Sequence, residues 1–65
     1  MILITTEYHD SRPPCTVAVL RLGTVYRCVR QLHDTGEVDI LAEGPYHVVW
    51  ATRNAIDAVL SHERK

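Results

Sequence analysis

A chain of 65 residues, 46% hydrophobic and 23% charged, is one domain's worth of sequence, able to close a single core that buries about 60% of the surface its unfolded form exposes. The hydrophobic content is too high for a disordered segment, and a formal net charge of −1 lacks the basic excess with which strongly electrostatic nucleic-acid binders displace phosphate counterions. No apolar run approaches the roughly eighteen residues that span a bilayer, and MILITTEYHD has no basic n-region or small-residue cleavage site, so the expectation is a cytoplasmic chain with no membrane partner.

Ile2, Leu3 and Ile4 followed by Thr5, Thr6 and Tyr8 favour a strand over the first eight residues, being β-branched or aromatic almost throughout. His9-Asp10-Ser11-Arg12-Pro13-Pro14 is a loop, because consecutive prolines remove backbone donors and hold the residues before them extended. Residues 15 to 22, CTVAVLRL, form a short apolar run suited to a strand buried on both faces, with a short helix as the rival. Cys15 and Cys28 are too few for a secreted disulfide scaffold and are read as buried free thiols, a disulfide between them being the alternative.

After Gly23, Thr24 is placed to cap a helix, and Val25, Cys28, Val29 and Leu32 fall at i, i+3, i+4 and i+7, the template of one buried helical face. Arg27, Arg30 and Asp34 occupy the other side, and Gly36 fits the left-handed position that closes a helix. Valine, tyrosine and cysteine are indifferent helix formers, so a strand from Val25 to Leu32 turning at Asp34-Thr35-Gly36 is the competing reading. Residues 37 to 42 read as a strand, alternating over the first four, Glu43-Gly44-Pro45 supplies a turn, and residues 46 to 51, YHVVWA, read as the returning strand of a hairpin. Thr52 then caps a last helix with a stripe of Ala55, Ile56, Val59 and Leu60, its terminal His62, Arg64 and Lys65 complementing the helix dipole. The expected fold is α+β: a small antiparallel sheet with two helices in the order strand, strand (or short helix), helix, strand, strand, helix. Exposed sheet edges in so small a domain offer a route to pairing two copies.

The stretch TVYRCVRQLHDTGEVDIL opens at a threonine, carries basic residues soon after, then Leu32, then a glycine leading into a strand, with EGPYHVVWA as turn and returning strand. In this it resembles the recognition helix and wing of winged helix-turn-helix domains, over residues 24 to 51. The resemblance implies a nucleic-acid-associated regulator in which Thr24, Tyr26, Arg27, Arg30 and Gln31 face the major groove and backbone, arginine being suited to guanine edges or phosphates. Its wing tip departs from the family in carrying Glu43 and no lysine or arginine. A solvated helix face is the plainer reading of Arg27 and Arg30.

The alternative is a protein-binding module. A near-neutral domain with mixed charge, strand edges and aromatic tips at Tyr8, Tyr46 and Trp50 suits adhesion to another protein, although Trp50 also suits a core. In size and compact α+β build the chain is similar to small phage-encoded inhibitors that block host protein complexes, anti-CRISPR proteins among them. An enzyme is not expected. His9-Asp10 and His33-Asp34 are isolated pairs, no close C-x₂-C or H-x₃-H ligand spacing occurs, and phosphate loops, paired carboxylates and nucleophile elbows are lacking. The expectation is therefore no catalytic residue, no metal and no cofactor, with a nucleic acid or a host protein complex as partner.

Overall fold

A computed structural model describes residues 1–62. Four strands, β1 (Ile2–Tyr8), β2 (Cys15–Leu22), β3 (Val25–Leu32) and β4 (Val38–Gly44), precede one helix, α1 (Tyr46–His62). The strands pair antiparallel in chain order as a meander, and α1 packs across one face, against β2, β3 and β4. The α+β class stands, but among the described residues there is one helix and not two. The order is strand, strand, strand, strand, helix.

Both corrections have a local cause. The stretch expected to be a recognition helix is β3, because Gly23-Thr24 is a two-residue hairpin turn and not a break followed by a cap. Leu22 and Val25 face each other across it, and Gly23 has φ 65°, the conformation glycine supplies at the first central position of a tight hairpin. The stretch expected to be a returning strand, Tyr46 to Ala51, is the first part of α1. Gly44, at φ 144°, ends β4, and the Pro45 carbonyl accepts from the amides of Val48 and Val49 at 3.2 Å each. A proline at a helix start costs nothing, since its missing N–H has no intrahelical acceptor there. Thr52 is accordingly no cap: its hydroxyl donates back to the Val48 carbonyl, 3.2 Å away, within the helix.

The core lies between α1 and the sheet. Tyr8, Cys15, Val17, Val19 and Cys28 come from the strands, and Val49 and Leu60 from the helix, with Ile4, Leu32, Leu41, Ala42 and Ile56 around them. Ile56 and Leu60 of the expected stripe face this core, whereas Ala55 and Val59 are exposed. Both cysteines are free and buried. In the loop after β1, the Ser11 hydroxyl lies 3.1 Å from the Tyr8 carbonyl and 2.9 Å from that of Pro13, which ties a buried polar group to the backbone. His62 ends the helix; Arg64 and Lys65 lie outside the described residues.

Each edge strand contains one extra residue. On β1, Ile2 faces Leu20 and Ile4 faces Val19, leaving Leu3 unpaired. On β4, Ala42 faces Cys28 and Ile40 faces Val29, leaving Leu41 unpaired. Because side chains alternate along a strand, such a bulge resets which face the following residues occupy. Leu41 and Ala42 both reach the core as a result, and Glu43 is turned onto the same face as Ile40.

Candidate interaction surface

The register divides the predicted binding residues between the two faces of the sheet. Tyr26 faces Gly44 and Arg30 faces Asp39 on the helix side, in line with buried Cys28. Arg27 and Gln31 lie on the opposite, open side, and Thr24 sits in the β2–β3 turn. A helix would have gathered these residues; a strand alternates them.

On the helix side, the Tyr26 ring meets Tyr46 edge-on at 5.1 Å, Tyr46 stacks on Trp50 at 5.6 Å and 12°, and the Arg53 guanidinium lies 5.5 Å from the centre of the Trp50 ring. This ridge, held by aromatic and cation–π contacts, was hidden from sequence reasoning by the misplaced helix start. The spacing of Tyr46, Trp50 and Arg53, i, i+4 and i+7, is the signal that a helix beginning after Pro45 would have exposed. Tyr8, expected at a surface tip, is 1% exposed. Trp50 is half-buried against the core.

Polar groups are also drawn under the helix. Arg53 donates to the Thr6 hydroxyl at 3.2 Å, and the Tyr8 hydroxyl donates to the Asp57 carboxylate. Burial, and then the Asp57 carboxylate, push the Tyr8 phenol up to about 12, because both disfavour the phenolate. Burial also raises the Cys28 thiol, against an opposing pull from Arg53. The Nε atoms of Arg30 and Arg53 are buried with no hydrogen-bond partner. Arg30 reaches Asp39 at 3.6 Å.

The open face has the opposite character. Its rows, read across the sheet, run Ile2, Leu20, Arg27, Glu43; then Thr5, Ala18, Val29, Ile40; then Glu7, Thr16, Gln31, Val38. Ile2 is 63% exposed, Ile40 59% and Val38 54%, and Leu22 and Val25 beside the turn are exposed as well. Arg27 Nε donates to Glu43 at 2.6 Å, and its terminal nitrogen pairs with the same carboxylate oxygen. Gln31 is turned to the Gly36 carbonyl at 3.3 Å. At one end, His33 Nε2 lies 2.7 Å from the Thr16 hydroxyl, its ring 5.6 Å from that of His9, and His9 is 3.5 Å from Glu7. Among the described residues no three His, Cys, Asp or Glu side chains converge as metal ligands, there is no pocket, and no helix is long and apolar enough to cross a membrane.

Comparison with models of protein families, with curated proteins and with solved structures returns no match.

Proposed function

We propose that this chain is a non-enzymatic protein-binding module whose working surface is the open face of the sheet. One observation carries the reading: Ile2, Val38 and Ile40, each more than half exposed, lie on one sheet face with Leu20, Ala18 and Val29 between them. An antiparallel sheet with a solvated face alternates apolar and polar residues; a contiguous apolar patch rimmed by polar residues is the mark of a protein contact. Every Å² of it removed from water is worth about 25 cal/mol, which a partner's surface supplies and water does not.

Protein contact is favoured over nucleic-acid contact by the state of the arginines. Arg27 and Arg30 project from opposite faces, and each is beside a carboxylate, Glu43 and Asp39 respectively. A phosphate would have to displace these acids, and the two cations do not present one basic surface. Blocking of a host complex, as small phage inhibitors do, is one form that such a module takes.

The test is a photo-crosslinking amino acid placed at Ile40 in the producing cell, with the same group at Val59 on the exposed side of α1. Crosslinks to protein from position 40, and not from position 59, are expected. Crosslinks from position 40 to nucleic acid, or equal protein crosslinking from both positions, would overturn the reading.

A further inference from the structure

We infer that His9 and His33 together hold one divalent transition-metal ion of the zinc class, with water completing its coordination. The site lies at one end of the sheet, away from the apolar patch, and does not rest on the protein-binding reading. Three observations carry it.

The first is that the fold joins two histidine-aspartate pairs that stand far apart in the chain. Tyr8 faces Cys15, and Cys15 faces Leu32, so His9 and His33 each stand one residue beyond the same row, on either side of β2. Tyr8 and Cys15 point into the core, and alternation turns the residues that follow toward the open face. There the two rings lean together across β2, their centres 5.6 Å apart and their planes tilted by 50°. Two imidazoles sharing a tetrahedral zinc, each nitrogen about 2.1 Å from it, have ring centres about 5 Å apart. The observed spacing is close to that.

The second is the partner of each ring. His33 Nε2 lies 2.7 Å from the Thr16 hydroxyl, and His9 Nε2 lies 3.5 Å from the Glu7 carboxylate. A proton on each Nε2, shared with these oxygens, leaves the lone pair of both rings on Nδ1. Ligation through one nitrogen with donation from the other is how metal-binding histidines are held. Glu7 and Thr16 face each other on neighbouring strands, so one row of the sheet supplies both outer contacts.

The third is that the backbone on both sides is tied down. The His33 amide donates to the Pro14 carbonyl at 3.0 Å, the Leu32 amide to that of Glu37 at 2.9 Å, and the Gly36 amide to that of Leu32 at 2.9 Å. In the other loop the Ser11 hydroxyl holds the Tyr8 and Pro13 carbonyls. Ligands already positioned lose less freedom on binding. The two loops also carry Asp10, Asp34 and Glu37 against Arg12, a balance that attracts a cation. Imidazole selects zinc, nickel or copper over magnesium and calcium, which prefer oxygen.

The test is calorimetric titration of the purified chain with zinc chloride, with circular dichroism on every variant. One zinc ion per chain at a micromolar dissociation constant is expected, and no binding of magnesium. Thr16→Val, which keeps the shape of the side chain and removes the acceptor, is expected to weaken zinc about tenfold. His9→Ala and His33→Ala, at exposed positions, should keep the fold and weaken it further still, whereas His47→Ala on α1 leaves it unchanged. In nuclear magnetic resonance spectra of the wild type, zinc should move the imidazole signals of His9 and His33 and leave those of His47 and His62 in place.

A wild type that binds no zinc below millimolar concentration overturns the site. So does binding indifferent to either His9→Ala or His33→Ala, or one ion shared between two chains. Unchanged affinity in Thr16→Val contradicts the ring orientation on which the site depends. If the histidine variants lose the fold, the spectra of the wild type decide alone, and equal movement of all four histidines sinks the proposal.

Discussion

The two faces of the sheet exchange the characters expected of them. On the face that α1 covers lie Arg53 on Thr6 and Tyr8 on Asp57, part-buried, with the Nε atoms of Arg30 and Arg53 buried and unpartnered. On the face with no layer above it lie Ile2, Val38 and Ile40, largely bare. Burying polar groups costs free energy unless they are paired, and exposing apolar groups forgoes the main source of stability. The contrast teaches where burial is spent: the covered face specifies how the helix docks, and the bare face leaves apolar area in water, which is the area the proposed protein contact would cover.

The sharpest way to break the comparison is to put the same charge on each face. Val49→Asp, at a residue 0% exposed, places a carboxylate in a core of a few side chains at a cost of several kcal/mol. A single core of this size supplies only about 3–5 kcal/mol, so the variant is expected to be unfolded by circular dichroism at 25 °C. Ile40→Asp, measured in dilute solution, is expected to fold with a stability within about 0.5 kcal/mol of wild type.

A smaller effect is expected from Tyr8→Phe, which leaves the Asp57 carboxylate without its phenol donor and costs about 1–3 kcal/mol by urea denaturation. The same pair predicts a pH dependence. Folding raises the Tyr8 phenol to about 12, so between its ordinary value near 10 and about 12 the folded chain holds a proton that the unfolded chain has lost. That contribution is complete below about pH 10 and vanishes as pH rises through about 12. Denaturation midpoints followed from pH 8 to 12 should fall more steeply in wild type than in Tyr8→Phe. Parallel profiles would show that Tyr8 is not in this environment. The smallest effect belongs to the open face: Arg27→Ala, which removes a half-exposed ion pair, should change the stability of dilute protein by no more than about 1 kcal/mol.

The same inversion governs how much of the molecule was legible in its sequence. β1, the proline loop and the start of β4 follow directly from β-branched runs and turn residues; β2 is the strand of the two readings open for residues 15 to 22, and only one of its faces is buried, not both as expected. β3 does not follow, because its two faces look alike: Tyr26, Cys28, Arg30 and Leu32 point to the helix, and Val25, Arg27, Val29 and Gln31 point away. Each set mixes apolar residues with an arginine. With no period-two contrast, the accidental helical spacing of Val25, Cys28, Val29 and Leu32 prevails, although their strand propensity is the truer signal. In Tyr46 to Ala51 the error runs the other way, for β-branched and aromatic residues form helix once Pro45 starts it and Val49 has a core to enter, tertiary packing overriding propensity. Of the candidate binding residues, Arg27 and Gln31 lie on the open face and Tyr26 and Arg30 do not. The aliphatic side chains of that face pass unremarked in sequence because they read as core.

The most direct test of the central claim compares two side chains of nearly equal exposure, Ile40 at 59% on the open face and Val59 at 57% on the helix. Side-chain footprinting by a diffusible carbene or hydroxyl radical, read by mass spectrometry on the purified dilute chain and in the producing cell, reports each separately. Labelling at Ile40 should be lower in the cell than on the purified chain while labelling at Val59 holds steady. Equal labelling of Ile40 in both settings, or protection at Val59 in its place, would contradict the account.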